Sequence, residues 1–210
     1  CILALLPSYL ERGDSSRVYM MNHLIDLSSH PSSGFYLNNY AELAEQLKKR
    51  ISDGVPTLLL GVSFALLELS EKFPLPLSGN ITVMETGGMK GRRKEMIREE
   101  LHSHLKAAFR VKNIHSEYGM TELLSQAYAG RSGKFVPPPW MKALTRDLYD
   151  PLTLNPPDRA GGINIIDLDN LYSCSFIATG DTGTVTEDGS FEITGRLDHS
   201  EIRGCNLMVF

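Results

Sequence analysis

The run Thr57-Leu58-Leu59-Leu60-Gly61-Val62 carries no polar side chain after its first residue. A strand with one face in water alternates apolar and polar residues, so an unbroken run fits a strand covered on both faces, as in parallel sheets. The residues after it, 63–72, read as a helix that Phe73-Pro74-Leu75-Pro76 stops. The same alternation surrounds this pair. Residues 2–6 form an apolar run ended by Pro7, and residues 40–51 place Leu43, Leu47 and Ile51 on one helical face. Residues 81–85 predict a strand that enters the Thr86-Gly87-Gly88 turn, followed by a long helix with Ile97, Leu101 and Leu105 facing inward. Residues 111–116 predict a further strand, then a turn at Tyr118 and a helix from about Thr121. Strands and helices in this order imply an α/β fold with a mostly parallel sheet flanked by helices.

Near residue 130 the pattern changes. Residues 132–157 are rich in proline, and short runs at 162–168, 175–179, 183–186 and 191–194 follow, separated by turn residues. They predict a small antiparallel β lobe. The expected organisation is an α/β lobe over 1–130, a small β lobe over 131–195, and a hinge and C-terminal stub over 196–210. With 210 residues, 42% of them hydrophobic, the chain can bury a core of that extent. A net charge of −4 argues against nucleic acid as a bulk electrostatic partner, and no apolar run is long enough to span a bilayer. Three widely spaced cysteines, Cys1, Cys174 and Cys205, form neither a disulfide framework nor a zinc pattern, which favours a reducing, cytoplasmic setting. Asn80-Ile81-Thr82 matches a glycosylation sequon, a match common by chance.

Ligands of parallel α/β sheets sit beyond the carboxyl ends of the strands. Two loops occupy that position here, Thr86-Gly87-Gly88 and Glu117-Tyr118-Gly119-Met120-Thr121-Glu122. The glycines allow close backbone approach, and a following helix offers free N–H groups to an anion. The second loop brings an aromatic ring, a glycine, a hydroxyl and a carboxylate within five residues. The ring can stack on a base, the hydroxyl can reach a phosphate, and the carboxylate can hold Mg²⁺. A plain helix cap by Thr121 or Glu122 explains the same residues equally well. Farther on, Thr179-Gly180-Asp181 and Gly195-Arg196-Leu197-Asp198 each end a predicted strand. An aspartate can accept from both hydroxyls of a ribose, and an arginine fork can reach ribose and phosphate together. Taken singly, these are ordinary turn and surface residues.

The order Tyr-Gly-x-Thr-Glu, Thr-Gly-Asp, Gly-Arg-x-Asp resembles the adenylate-forming superfamily of acyl-CoA synthetases, adenylation domains and luciferases. The resemblance implies part of that superfamily's N-terminal domain, with ATP and Mg²⁺ as cofactors and a carboxylic acid as substrate. It implies Tyr118 stacked on adenine, with Ser116 and Glu117 along the base edge and Gly119 among the nucleotide-binding residues. It implies Thr121 at the α-phosphate, Glu122 holding Mg²⁺, Asp181 on the ribose diol and Arg196 near ribose and phosphate. Thr86, Gly87 and Gly88 would line the junction of adenine and acyl group.

A narrower resemblance runs over nearly the whole chain. Leu5-Leu6-Pro7-Ser8-Tyr9, Met84 to Gly91, Ser116 to Gln126 and Ile202 to Met208 are similar to the acyl-protein synthetase of bacterial fatty-acid reductase systems. That family adenylates a fatty acid, loads the acyl group on its own cysteine and passes it to a reductase. Cys205 is the residue that fits, with Arg203 near enough to lower its pKa. Its plain alternative is a buried small apolar side chain. A second expectation is a coenzyme A ligase resembling phenylacetate-CoA ligase, and a third is a non-catalytic nucleotide- or partner-binding module. The superfamily's Ser/Thr/Gly-rich pyrophosphate loop has no counterpart in these residues, since the Ser-rich residues 28–34 carry His30-Pro31 and no lysine. The expectation is therefore that the chain begins inside a longer enzyme and is incomplete alone. Lys90, Arg92, Arg93 and Lys94 read as a solvated helix face, and the six histidines show no metal spacing.

Overall fold

The computed structural model describes residues 1–7, 15–87 and 96–197. The chain forms two compact units, Cys1–His115 and Ser116–Phe210.

The first unit alternates β1 (Ile2–Leu5), α1 (Ser16–Ser28), β2 (Gly34–Tyr36), α2 (Tyr40–Asp53), β3 (Thr57–Val62), α3 (Ser63–Lys72), β4 (Ile81–Thr86) and α4 (Arg98–Phe109). Its strands lie in the order β2-β1-β3-β4, all parallel. The apolar run of β3 sits between β1 and β4, with Leu59, Leu60 and Val62 buried. Its central position explains why the run does not alternate. Gly61 lets the chain turn tightly into α3, because a Cβ there would lie 2.8 Å from Leu66 Cγ. Leu43 and Leu47 of α2 and Leu101, Leu105 and Phe109 of α4 complete the core.

One local expectation changes. Ile97 does not face inward. It is the extended residue before α4 and is 53% exposed, because the helix begins one residue later. Helix α1 has no strong apolar period. Ser15 starts it by accepting from the Val18 amide at 3.4 Å. Asn80 of the sequon uses its side-chain amide to bond Arg50 O and Val55 O, so the residue closes the entry to β4.

The second unit holds β5 (His115–Tyr118), β6 (Ala127–Ala129), β7 (Phe135–Val136), β8 (Met141–Arg146), β9 (Gly161–Asp167), β10 (Phe176–Val185) and β11 (Phe191–Arg196). They pair antiparallel in the order β5-β6-β7-β11-β10-β9-β8. The composition change near residue 130 lies within this unit, between β6 and β7. The predicted strands 175–179 and 183–186 are one long strand, β10, so Thr179-Gly180-Asp181 lies inside a strand. The core gathers Ile163, Ile165, Ala143, Val185 and an aromatic trio. In the trio, Tyr118, Phe135 and Phe191 have ring centroids 5.2–5.6 Å apart. No helix among the described residues is long and apolar enough to cross a membrane.

Candidate nucleotide site

Strand β5 pairs Ser116, Glu117 and Tyr118 with Ala129, Tyr128 and Ala127 of β6. The two strands are joined by turns, and the helix predicted from Thr121 is absent. The cause is the carboxylate of Asp167, fully buried at the end of β9. It accepts from the amides of Leu124 at 3.1 Å and Ser125 at 2.8 Å, and from Ser125 Oγ at 2.7 Å. A helix would turn those amides to carbonyls of the preceding turn. Asn170 adds bonds to the Glu122 carbonyl and the Leu124 amide, and Trp140 donates its indole N–H to Ser125 Oγ. Asp167 and Asn170 were not legible as functional residues, because only the chain's return along β9 brings them to this turn.

Three of the expected residues meet in one buried cluster. The Tyr118 hydroxyl donates to Asp181 Oδ2 at 2.8 Å, and Arg196 Nε lies 3.2 Å from Asp181 Oδ1. Residues 181 and 196 are direct cross-strand partners of β10 and β11, and Tyr118 reaches them from β5. Tyr118 is 4% and Asp181 3% exposed. Burial first, and then the Asp181 charge and hydrogen bond, push the Tyr118 phenol well above its ordinary pKa. Tyr118 therefore stays protonated and remains a donor. Removal of water strengthens the ion pair but leaves each charge dependent on its partner.

The other expected residues lie around this cluster or outside it. Ser116 and Glu117 are buried in β5, and a Cβ on Gly119 would sit 3.3 Å from Gln126 Cγ. Thr121 and Glu122 are exposed on the turn. In the first unit, Thr86 is fully buried at the end of β4, and Gly87 follows with a φ of +70° that favours glycine. Ser63, whose place in an apolar stretch carries no local signal of a role, contacts both Glu85 Oε2 at 3.0 Å and the Gly87 carbonyl. His102 Nε2 lies 3.6 Å from the other oxygen of Glu85. The turn after β4 is thus tied to the start of α3. Gly88 and Cys205 lie outside the described residues, as do Asp198 and Arg203. Among the described residues no group of His, Cys, Asp and Glu could hold a metal by itself.

No protein-family model and no curated protein matches the chain. Solved structures do. ATP-bound MatB from Rhodopseudomonas palustris is similar with a TM-score of 0.64 at 17% identity, over 93% of this chain and 40% of that one. A long-chain-fatty-acid-CoA ligase from Archaeoglobus fulgidus gives 0.64 at 16%, over 93% and 43%. O-succinylbenzoate coenzyme A synthetase from Bacillus subtilis, in complex with ATP and magnesium, gives 0.54 at 16%, over 77% and 35%. The chain shares their fold. It spans about two fifths of the length of these proteins. At this identity the likeness is one of architecture.

Proposed function

We propose that this chain is the nucleotide-reading part of an ATP-dependent enzyme that activates a carboxylic acid as its acyl-adenylate. One observation carries the reading. Tyr118, Asp181 and Arg196, from three separate motifs, converge on one buried carboxylate. A carboxylate offers about four lone-pair positions; the Tyr118 hydroxyl takes one beside the charge of Arg196, which leaves positions that suit a ribose diol. On this reading nucleotide binding uncovers Tyr118 and Asp181, which are covered here. Solved proteins of the same fold bind ATP, and one binds magnesium.

Bound ATP supplies the activated phosphate. Tyr118 would offer its ring to the base, with Ser116 and Glu117 along the base edge and Gly119 beside the nucleotide. Asp181 would accept from the ribose hydroxyls, and Arg196 would neutralise Asp181 and reach toward phosphate oxygens. Thr121 would donate at the α-phosphate where negative charge develops. Glu122 is exposed, as suits a single carboxylate that holds Mg²⁺ together with phosphate oxygens. Thr86, Gly87 and Gly88 would border the acyl group. The carboxylate oxygen would form a bond to the α-phosphorus as the bond to pyrophosphate breaks.

The next step on this reading is transfer to a thiol. The motif resemblance favours Cys205, acylated with AMP as leaving group and discharged to an acyl reductase in a cytoplasmic setting. The named coenzyme A ligases among the similar structures favour coenzyme A as acceptor instead. Full-length protein, ATP and labelled fatty acids separate the two. We expect acid-dependent ATP–pyrophosphate exchange and a hydroxylamine-sensitive label on the protein. Cys205→Ser should lose the label and keep the exchange. Label that survives that change removes the acyl-carrier role, and absence of exchange with every acid tried removes the enzyme reading.

A further inference from the structure

Strand β10 does not run evenly beside β9. Ala178 pairs with Asn164, but the next ladder pair is Thr182 with Gly162. Four steps along β10 match two along β9, so residues 179–181 bulge out of the ladder. Bulges turn side chains away from simple alternation and are common beside active sites. Here the bulge carries Asp181, whose carboxylate reaches Tyr118 and Arg196.

A bulge frees backbone groups that must find partners. The Gly180 carbonyl accepts from the Leu197 amide at 2.8 Å. The Asp181 amide donates to Thr179 Oγ1 at 3.1 Å. The remaining carbonyls are met by Arg146, at the end of β8. Its Nη2 donates to Thr179 O at 2.8 Å, and its Nη1 donates to Ile163 O at 2.8 Å and to Asn164 Oδ1 at 2.6 Å. Thr179 Oγ1 donates to Ile163 O as well, at 2.9 Å. The guanidinium is buried, and among the described residues no carboxylate pairs with it. A buried cation held by neutral acceptors is costly, so its cost must be offset by what the bonds organise. Burial draws its pKa down from the ordinary arginine value.

The opposite wall is shaped to the same group. A Cβ on Gly162 would lie 2.7 Å from Arg146 Cζ and 3.0 Å from its Nε. Only glycine leaves the planar fork room to lie across β9 and reach β10. A lysine in place of Arg146 would keep the charge but could not bridge Ile163 O and Thr179 O with fixed geometry.

We propose that Arg146 is a positioning residue whose buried guanidinium holds the β10 bulge in shape and thereby aims Asp181 at Tyr118. Its consequence for nucleotide selection rests on the ribose role of Asp181 given above. Two variants test it in the full-length protein, Arg146→Lys and Gly162→Ala, the second crowding the guanidinium without removing it. The first readout needs no nucleotide. The ¹³Cζ resonance of Tyr118, identified by its loss in Tyr118→Phe, reports the bond to Asp181 and should move in Asp181→Asn. We expect it to move the same way in both variants while the dispersed spectrum of a folded chain is kept. If either variant fails to fold, the other decides. An unmoved Tyr118 resonance in a folded variant overturns the proposal. The second readout is the ratio of binding constants for ATP and 2′,3′-dideoxy-ATP. Loss of hydrogen bonds to a charged group predicts a wild-type ratio of at least about tenfold, falling to about twofold in both variants. A ratio that stays at the wild-type value in variants with a moved resonance also overturns the proposed consequence. A wild-type ratio near unity removes the ribose role of Asp181, while a moved resonance still supports the positioning role of Arg146.

Discussion

The two units solve burial in different ways. In Cys1–His115 the sheet is parallel and its interior is leucine-rich, with polar groups such as Ser63, Glu85 and Thr86 gathered at the strand ends. In Ser116–Phe210 the sheet is antiparallel and takes charge into its interior. Asp167, Asp181 and Arg146 are all buried; Asp167 and Arg146 are each held by several hydrogen bonds, and Asp181 by the Tyr118 hydroxyl and the Arg196 charge. The first unit therefore depends on shape and apolar area, which tolerate approximate fit. The second depends on complete polar networks, where loss of one member strands the others. A fold can be read from the first kind of packing, and a site from the second.

This contrast gives predictions of decreasing size, each read in the unit it concerns. The described helices lie in the first unit, so helical circular dichroism reports it. The single tryptophan, Trp140, bonds Ser125 in the second unit, so its fluorescence reports that one. Asp167→Ala should cost the most, about 4 kcal/mol in urea unfolding followed at Trp140, because it removes the buried acceptor of the Ser125 amide and hydroxyl and leaves the Leu124 amide to Asn170 alone. Leu66→Ala should cost about 3 kcal/mol in unfolding followed by helical dichroism, through the cavity it leaves. If Leu66→Ala proves the more damaging of the two, the contrast between the units is wrong. Tyr118→Phe should cost about 2 kcal/mol by loss of a bond to a charged acceptor.

The same tyrosine sets a pH dependence. Its folded pKa lies above the ordinary 10.0, because burial and Asp181 disfavour the phenolate. The unfolded chain gives up the proton first as pH rises. The contribution is therefore full below about pH 10 and is lost as pH climbs from there toward the folded value. Trp140-monitored unfolding should steepen its decline above pH 10, and Tyr118→Phe should flatten that part of the curve. Equal slopes in the two proteins would remove Tyr118 as the cause. Smallest of all, Lys48→Ala should change stability by less than about 0.5 kcal/mol, since its pair with Glu45 is exposed.

Much of the first unit was legible before its structure. The apolar run of β3, the helix stopped at Phe73-Pro74 and the leucine spacing of α2 follow from local periodicity, and they form where expected. Ile97 misled because periodicity does not mark where a helix starts, and the extended backbone of that residue turns it outward. In the second unit, local reading failed at Thr121. Residues 121–126 have the composition of a helix start, but Asp167, more than 40 residues away, takes their amides. No window along the chain contains both.

The candidate site divides in the same manner. Sequence by itself determined the order of the motifs, and with it the choice of Tyr118, Asp181 and Arg196 as candidates, because a short pattern is read from neighbouring residues alone. Only the tertiary structure decided that these three meet on one buried carboxylate. It also decided that Arg146 and Gly162 shape the bulge that carries Asp181 there. The physical reason is range. Periodicity, capping and turn chemistry act over a few residues, whereas a buried charge is satisfied by whichever distant atoms the fold delivers to it.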